Sequence, residues 1–144
     1  MFNEDKMDCS KDKTLILSIV NSQDFKDLFI NRGITNVIIF GSLANGNFTS
    51  ESDVDIAIIS NAPISFNDEL ILTQKLEELL DRNIDLIDIN DENINNLIKI
   101  SALNSKFIVL KDNLLNDAIA FYDNLYKDNE EFWRILDREV LGIE

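Results

Sequence analysis

Apolar residues recur at helical spacing from Thr14 to Ile30, where Leu15, Ile16, Ile19, Val20, Phe25, Leu28 and Phe29 define a stripe for burial. Ser22 interrupts the stripe, its hydroxyl can cap a second helical segment, and Gly33 is a natural stop. Val37 to Phe40 is a short β-rich run ending at Gly41-Ser42, and Asp53 to Ser60 is another. Pro63, the only proline, and Ser65 mark a turn before a helix of about residues 66 to 82 with Leu70, Leu72, Leu76, Leu79 and Leu80 among its apolar positions. A third strand is expected at Asn83 to Ile89, a short helix near residues 92 to 102, and a fourth strand at Lys106 to Leu110. A terminal helical region then runs from about Asn113 to Val140.

This alternation predicts an α/β (α+β) fold, a mixed sheet of about four strands flanked by helices. No repeat, low-complexity tract or long linker divides the chain, so residues 13–144 are expected to form one domain behind a mobile polar leader at residues 1–12. A length of 144 residues with 45% hydrophobic content is sufficient for a proper core.

Charge narrows the partners. Acidic residues outnumber basic ones 27 to 13, for a formal net charge of −14. Such a surface repels phosphate backbones, so direct nucleic-acid binding is not expected, whereas a basic protein partner suits it. The same charge also serves solubility. Cys9 is the only cysteine, which rules out an internal disulfide and fits a reducing compartment. The N-terminal residues lack the apolar core of a signal peptide, and no segment approaches the roughly 20 apolar residues of a membrane span. A cytoplasmic protein is the expectation.

Candidate chemistry is concentrated between Gly41 and Asp55. Asp53 and Asp55 open a strand-like run, and residues two apart on a strand point to one face about 6.6 Å apart. Two ionised carboxylates aimed at one spot are costly to dehydrate unless a cation waits there. The chain has no histidine and only one cysteine, which leaves oxygen ligands and points to Mg2+ or Mn2+ rather than zinc. A third carboxylate is expected on a neighbouring strand, where Asp85 and Asp88 both qualify. Their three-residue spacing puts them on opposite faces, so a regular strand brings only one of them to the site.

The motif Gly41-Ser42-Leu43-Ala44-Asn45-Gly46, followed by Ser52-Asp53-Val54-Asp55, resembles that of the minimal nucleotidyltransferase (MNT) family, within the nucleotidyltransferase superfold that includes DNA polymerase beta. The family pattern is Gly-Ser-x-Ala-Arg-Gly, a spacer, then Ser-Asp-x-Asp, and the resemblance spans roughly residues 13 to 115. It implies transfer of AMP from ATP to a hydroxyl, with Asp53, Asp55 and Asp85 as the metal-binding and catalytic carboxylates. Asp85 is preferred to Asp88 because the family's first aspartate on that strand maps onto Ile84-Asp85-Leu86. Gly41 and Ser42 are implied to meet the triphosphate, Gly41 by permitting close backbone approach and Ser42 through its hydroxyl and amide. Small free-standing family members act as antitoxins that adenylylate a tyrosine of a helical HEPN-domain ribonuclease toxin. The alternatives are a small-molecule acceptor such as an antibiotic, or an antitoxin that neutralises its partner by binding alone.

Asn45 departs from the family pattern, since arginine there supplies fixed positive charge near phosphate. Lys75 and Arg82 are candidate substitutes, set against their simpler reading as solvent-facing helix charges. Tyr122, Tyr126, Phe132 and Trp133 read either as core or as a partner-binding surface.

Overall fold

The first amphipathic stripe divides at Ser22 into α1 (Lys13–Val20) and α2 (Gln23–Ile30) in the computed structural model, which describes residues 12–128. The Asp12 carboxylate accepts from the Leu15 amide at 3.0 Å and the Ser22 hydroxyl accepts from the Phe25 amide at 3.3 Å. Each cap satisfies an amide that the helix cannot, which stabilises by about 1 kcal/mol. Ser22 also donates to the Ile19 carbonyl at 2.6 Å, so one side chain closes the first helix and opens the second. Asp12, the last residue of the expected leader, thus belongs to the cap of α1, while residues 1–11, with Cys9, and the end of the terminal helical region, with Phe132 and Trp133, lie outside the described residues.

β1 (Asn36–Phe40) is followed by α3 (Ser42–Asn45), a single helical turn where the sequence suggested only a loop, and then by β2 (Val54–Ile59). α4 (Phe66–Leu80) starts at Ser65, whose hydroxyl accepts from the Asp68 amide at 3.0 Å, and ends at Asp81 in a left-handed conformation. β3 (Ile84–Asp88), α5 (Asn96–Leu103), β4 (Phe107–Leu110) and α6 (Asn113–Asp128) complete the described chain. α5 begins later than the apolar pattern suggested because the Asn95 side chain caps it, accepting from the Leu97 amide at 2.6 Å.

The four strands form one mixed sheet in the order β3-β2-β1-β4, with β1 antiparallel to β2 and β4, and β2 parallel to β3. Strand alternation divides the core in two. On one face Val37, Ile39, Val54, Ile56 and Ile58 pack against Ile16, Val20, Phe25, Phe29, Leu72, Leu76 and Leu80 from α1, α2 and α4. On the other, Ile38, Phe40, Ala57 and Ile59 meet Ala102, Leu103 and Leu115 from α5 and α6. Each fully buried Ile, Leu or Phe contributes about 1.5 to 3 kcal/mol. Tyr122 packs against this second cluster, which assigns it to the core reading rather than to a free surface. Buried Asn36 ties the end of the sheet to α6, donating to Asp112 Oδ1 at 2.8 Å while its Oδ1 accepts from the Asp112 amide at 2.7 Å. Among the described residues no helix is long and apolar enough to cross a membrane.

Candidate active site

The second sheet face runs out of apolar cover at the end of β1 and the start of β2, and a cleft of about 1370 Å³ opens there. Parallel pairing of β2 with β3 sets Asp55 directly beside Asp85, and antiparallel pairing with β1 sets Asp55 beside Phe40. Directly opposed residues share a face, so the two carboxylates project together into the cleft. Asp53, two residues before Asp55, lines the same cleft. Asp88 does not: it is 5% exposed and belongs to the other face, where its oxygens accept from the Ile64 amide at 2.9 Å and the Asn90 amide at 3.0 Å. Its sequence-level candidacy is thereby explained as a structural carboxylate that ties the β2–α4 connection to β3.

Gly41 makes the close approach possible. Its backbone (φ 73°, ψ −149°) lies in a region that side chains scarcely enter, and a Cβ there would run into Asp55 Oδ2 and lie 3.0 Å from Asp55 Cγ. The glycine thus leaves room for one carboxylate under the Ser42 turn. That room is electrostatically strained. Burial first, then the hydrogen bond with Asp85 and the negative charges of Asp85 and Asp53, push the Asp55 carboxyl from 3.8 up to about 7. A cation bound there would relieve this repulsion.

The donor set suits a hard divalent ion: carboxylates and hydroxyls line the cleft and the sequence has no histidine. Among the described residues no three carboxylate or thiol groups enclose one point as they stand. The Asp55–Asp85 pair, hydrogen bonded and crowded with like charge, is what fits a cation, with Asp53 adjoining it.

Of the two substitutes considered for the absent arginine at Asn45, neither lines the cleft. Lys75 is on α4, which covers the opposite sheet face. Arg82 is half-buried rather than solvent-facing: its Nη1 donates to the carbonyls of Thr49 (3.1 Å) and Ser52 (2.8 Å), and its guanidinium stands 4.4 Å from the Phe48 ring centroid. With Asn83 accepting from the Val54 amide at 3.0 Å, the turn before β3 grips the chain on both sides of Asp53.

Sequence reasoning missed the far wall, formed by Ile98, Ser101, Asn104, Ser105, Lys106 and Ile108. No spacing signal marks these residues, because only the pairing of β4 with β1 carries the α5–β4 turn to the motif. The Ser105 hydroxyl anchors that turn by donating to the Ile39 carbonyl at 2.5 Å and accepting from the Phe107 amide at 3.1 Å.

A glycine-relieved turn beside paired strand carboxylates is the arrangement that the motif implied, and the sequence matches the family described as polymerase beta, nucleotidyltransferase over residues 23–114, well over half of the chain. The chain belongs to the polymerase beta nucleotidyltransferase family. Its fold is shared with solved toxin–antitoxin complexes. A variant MntA-HpeT complex with two Asp→Glu substitutions gives a TM-score of 0.64 at 15% identity, covering 91% of this chain and 99% of that chain. A toxin–antitoxin complex with AMP-PNP gives 0.61 at 16% identity, covering 91% and 99%. A tri-AMPylated HEPN toxin from Shewanella oneidensis in complex with MNT antitoxin gives 0.61 at 16% identity, covering 90% and 99%. No curated protein matches the chain in sequence. As a nucleotidyltransferase of this family, the chain carries Gly41, Ser42, Asp53 and Asp55 of its motif in the lining of the cleft.

Proposed function

We propose that residues 13–144 form a single domain that transfers AMP from ATP to a tyrosine of a HEPN-domain ribonuclease toxin in the cytoplasm, acting as its antitoxin. The observation that carries this reading is the rung of Asp55 and Asp85, held side by side under Gly41 at the edge of an open cleft. The likeness to a complex that holds a tri-AMPylated HEPN toxin supports the choice of acceptor. Support for ATP as donor comes from the likeness to a complex with AMP-PNP.

In the reaction the attacking hydroxyl oxygen bonds to the α-phosphorus, the bond from that phosphorus to the bridging oxygen breaks, and pyrophosphate leaves in line. Mg2+ or Mn2+, held by Asp53, Asp55 and Asp85, would supply neutralisation of the charge that builds on the attacking and departing oxygens. Asp85, the exposed member of the pair, takes the proton of the tyrosine hydroxyl. Asp55 is half-buried against the Gly41 turn and fixes the inner position of the site. The Ser42 hydroxyl and amide meet the triphosphate tail, which Gly41 lets approach the backbone. Among the described residues the cleft is open, so a protein acceptor can complete it, and the net charge of −14 favours a basic one.

Co-expression tests the reading. A toxic HEPN-domain protein encoded beside this chain should be neutralised by the wild type and remain toxic with Asp53→Ala or Asp85→Ala. Full neutralisation by both variants would replace catalysis with occlusion as the antitoxin mechanism.

A further inference from the structure

The cleft contains three aspartates and, among the described residues that line it, one cation: Lys106. We infer that Lys106 takes over the phosphate-binding charge that the family motif places at the position of Asn45, by reaching the β- and γ-phosphates from the opposite side of the Gly41-Ser42 turn. This rests on the nucleotidyltransferase reading and deepens it.

The sheet register locates the lysine. Ile39 pairs with Phe107, and Phe40 pairs with Asp55, which in turn pairs with Asp85. One step beyond the Ile39–Phe107 rung sets Lys106 level with Phe40, so Asp85, Asp55, Phe40 and Lys106 form a row across β3, β2, β1 and the start of β4. Two strand spacings amount to about 10 Å between the Asp55 and Lys106 backbones. The Gly41-Ser42 turn lies above Phe40, between them. A nucleotide with its α-phosphate at the carboxylates and its tail over that turn therefore extends toward the lysine.

The backbone of Lys106 is fixed while its side chain is exposed. Ser105 before it is pinned to the Ile39 carbonyl and Phe107 after it is packed against the first core cluster. A lysine suits this position because its flexible stem delivers a point charge to phosphate, the role that a short Asn45 side chain cannot perform. Arg82 is committed to the Thr49 and Ser52 carbonyls and Lys75 to the other face, which leaves Lys106 to balance the tail.

The test is binding of AMP-PNP and of AMP, each with Mg2+, measured by calorimetry on the full chain. Lys106→Gln should weaken AMP-PNP about ten-fold, in line with loss of one exposed charge-assisted contact, and leave AMP unchanged. Lys106→Arg should retain affinity, and Asn45→Arg in the Lys106→Gln background should restore it. Equal AMP-PNP affinity of wild type and Lys106→Gln would overturn the inference while leaving the nucleotidyltransferase reading intact, as would equal weakening of AMP and AMP-PNP. Failure of the wild type to bind either nucleotide would overturn both.

Discussion

Replacing Asp55 by Asn should make the metal-free protein more stable at neutral and alkaline pH, although it removes a central site residue. In the folded chain the Asp55 carboxyl is raised from 3.8 to about 7, so between those values it keeps a proton that the unfolded chain has released. Stability therefore falls as pH rises through that window, and the loss is complete above about pH 7. A fully sealed group with this rise would lose about 4 kcal/mol. Asp55 is only half-buried, and solvent screening reduces the figure to about 2 kcal/mol. Asn keeps the shape of the side chain without the charge. Thermal unfolding with EDTA at pH 8 should show Asp55→Asn roughly 5 to 8 °C above wild type, and the gap should close near pH 3.5. Adding Mg2+ at pH 8 should raise the wild-type transition and leave the variant nearly unmoved. A wild type as stable as Asp55→Asn at pH 8, or a gap of the same size at both pH values, would refute the claim that crowded carboxylates strain this site.

Three further substitutions separate the parts of the site. Gly41→Ala forces a side chain into a glycine-only conformation against Asp55, and should lose about 2 to 3 kcal/mol in urea unfolding together with AMP transfer by the folded fraction. Arg82→Ala frees the loop before Asp53; it should cost about 2 kcal/mol and speed amide hydrogen exchange across residues 46–53, while unchanged exchange would contradict the clamp. Asp85→Asn should abolish transfer and, by removing one charge of the crowded pair, raise metal-free stability at pH 8 by less than Asp55→Asn does, whereas Asp88→Ala should lose about 2 kcal/mol, by stranding the Ile64 and Asn90 amides, and keep transfer per folded molecule.

Much of the fold was legible because local signals agreed with each other. Ser22, Ser65 and the apolar stripes fixed helices that the core then buried, and Val37 to Phe40 and Asp53 to Ser60 read as strands from composition alone. The single turn of α3 escaped notice because four residues carry no periodicity, and the start of α5 depended on which asparagine turned its side chain onto an amide. At the site, the two-residue spacing of Asp53 and Asp55 and the glycine between strands were visible in the chain itself. The partnership of Asp55 with Asp85 depends on the parallel register of β2 and β3, and the approach of Lys106 depends on β4 joining β1. Arg82 was misjudged for the same reason: its partners lie 30 and 33 residues away, beyond any local pattern.

The most direct measurement is intact and tandem mass spectrometry of the HEPN-domain partner after incubation with this chain, ATP and Mg2+, with Asp53→Ala and Asp85→Ala in parallel. The account predicts one or more added AMP groups, located on tyrosine and absent with either variant. An unmodified partner that still binds the chain, or modification that persists without Asp85, would contradict it.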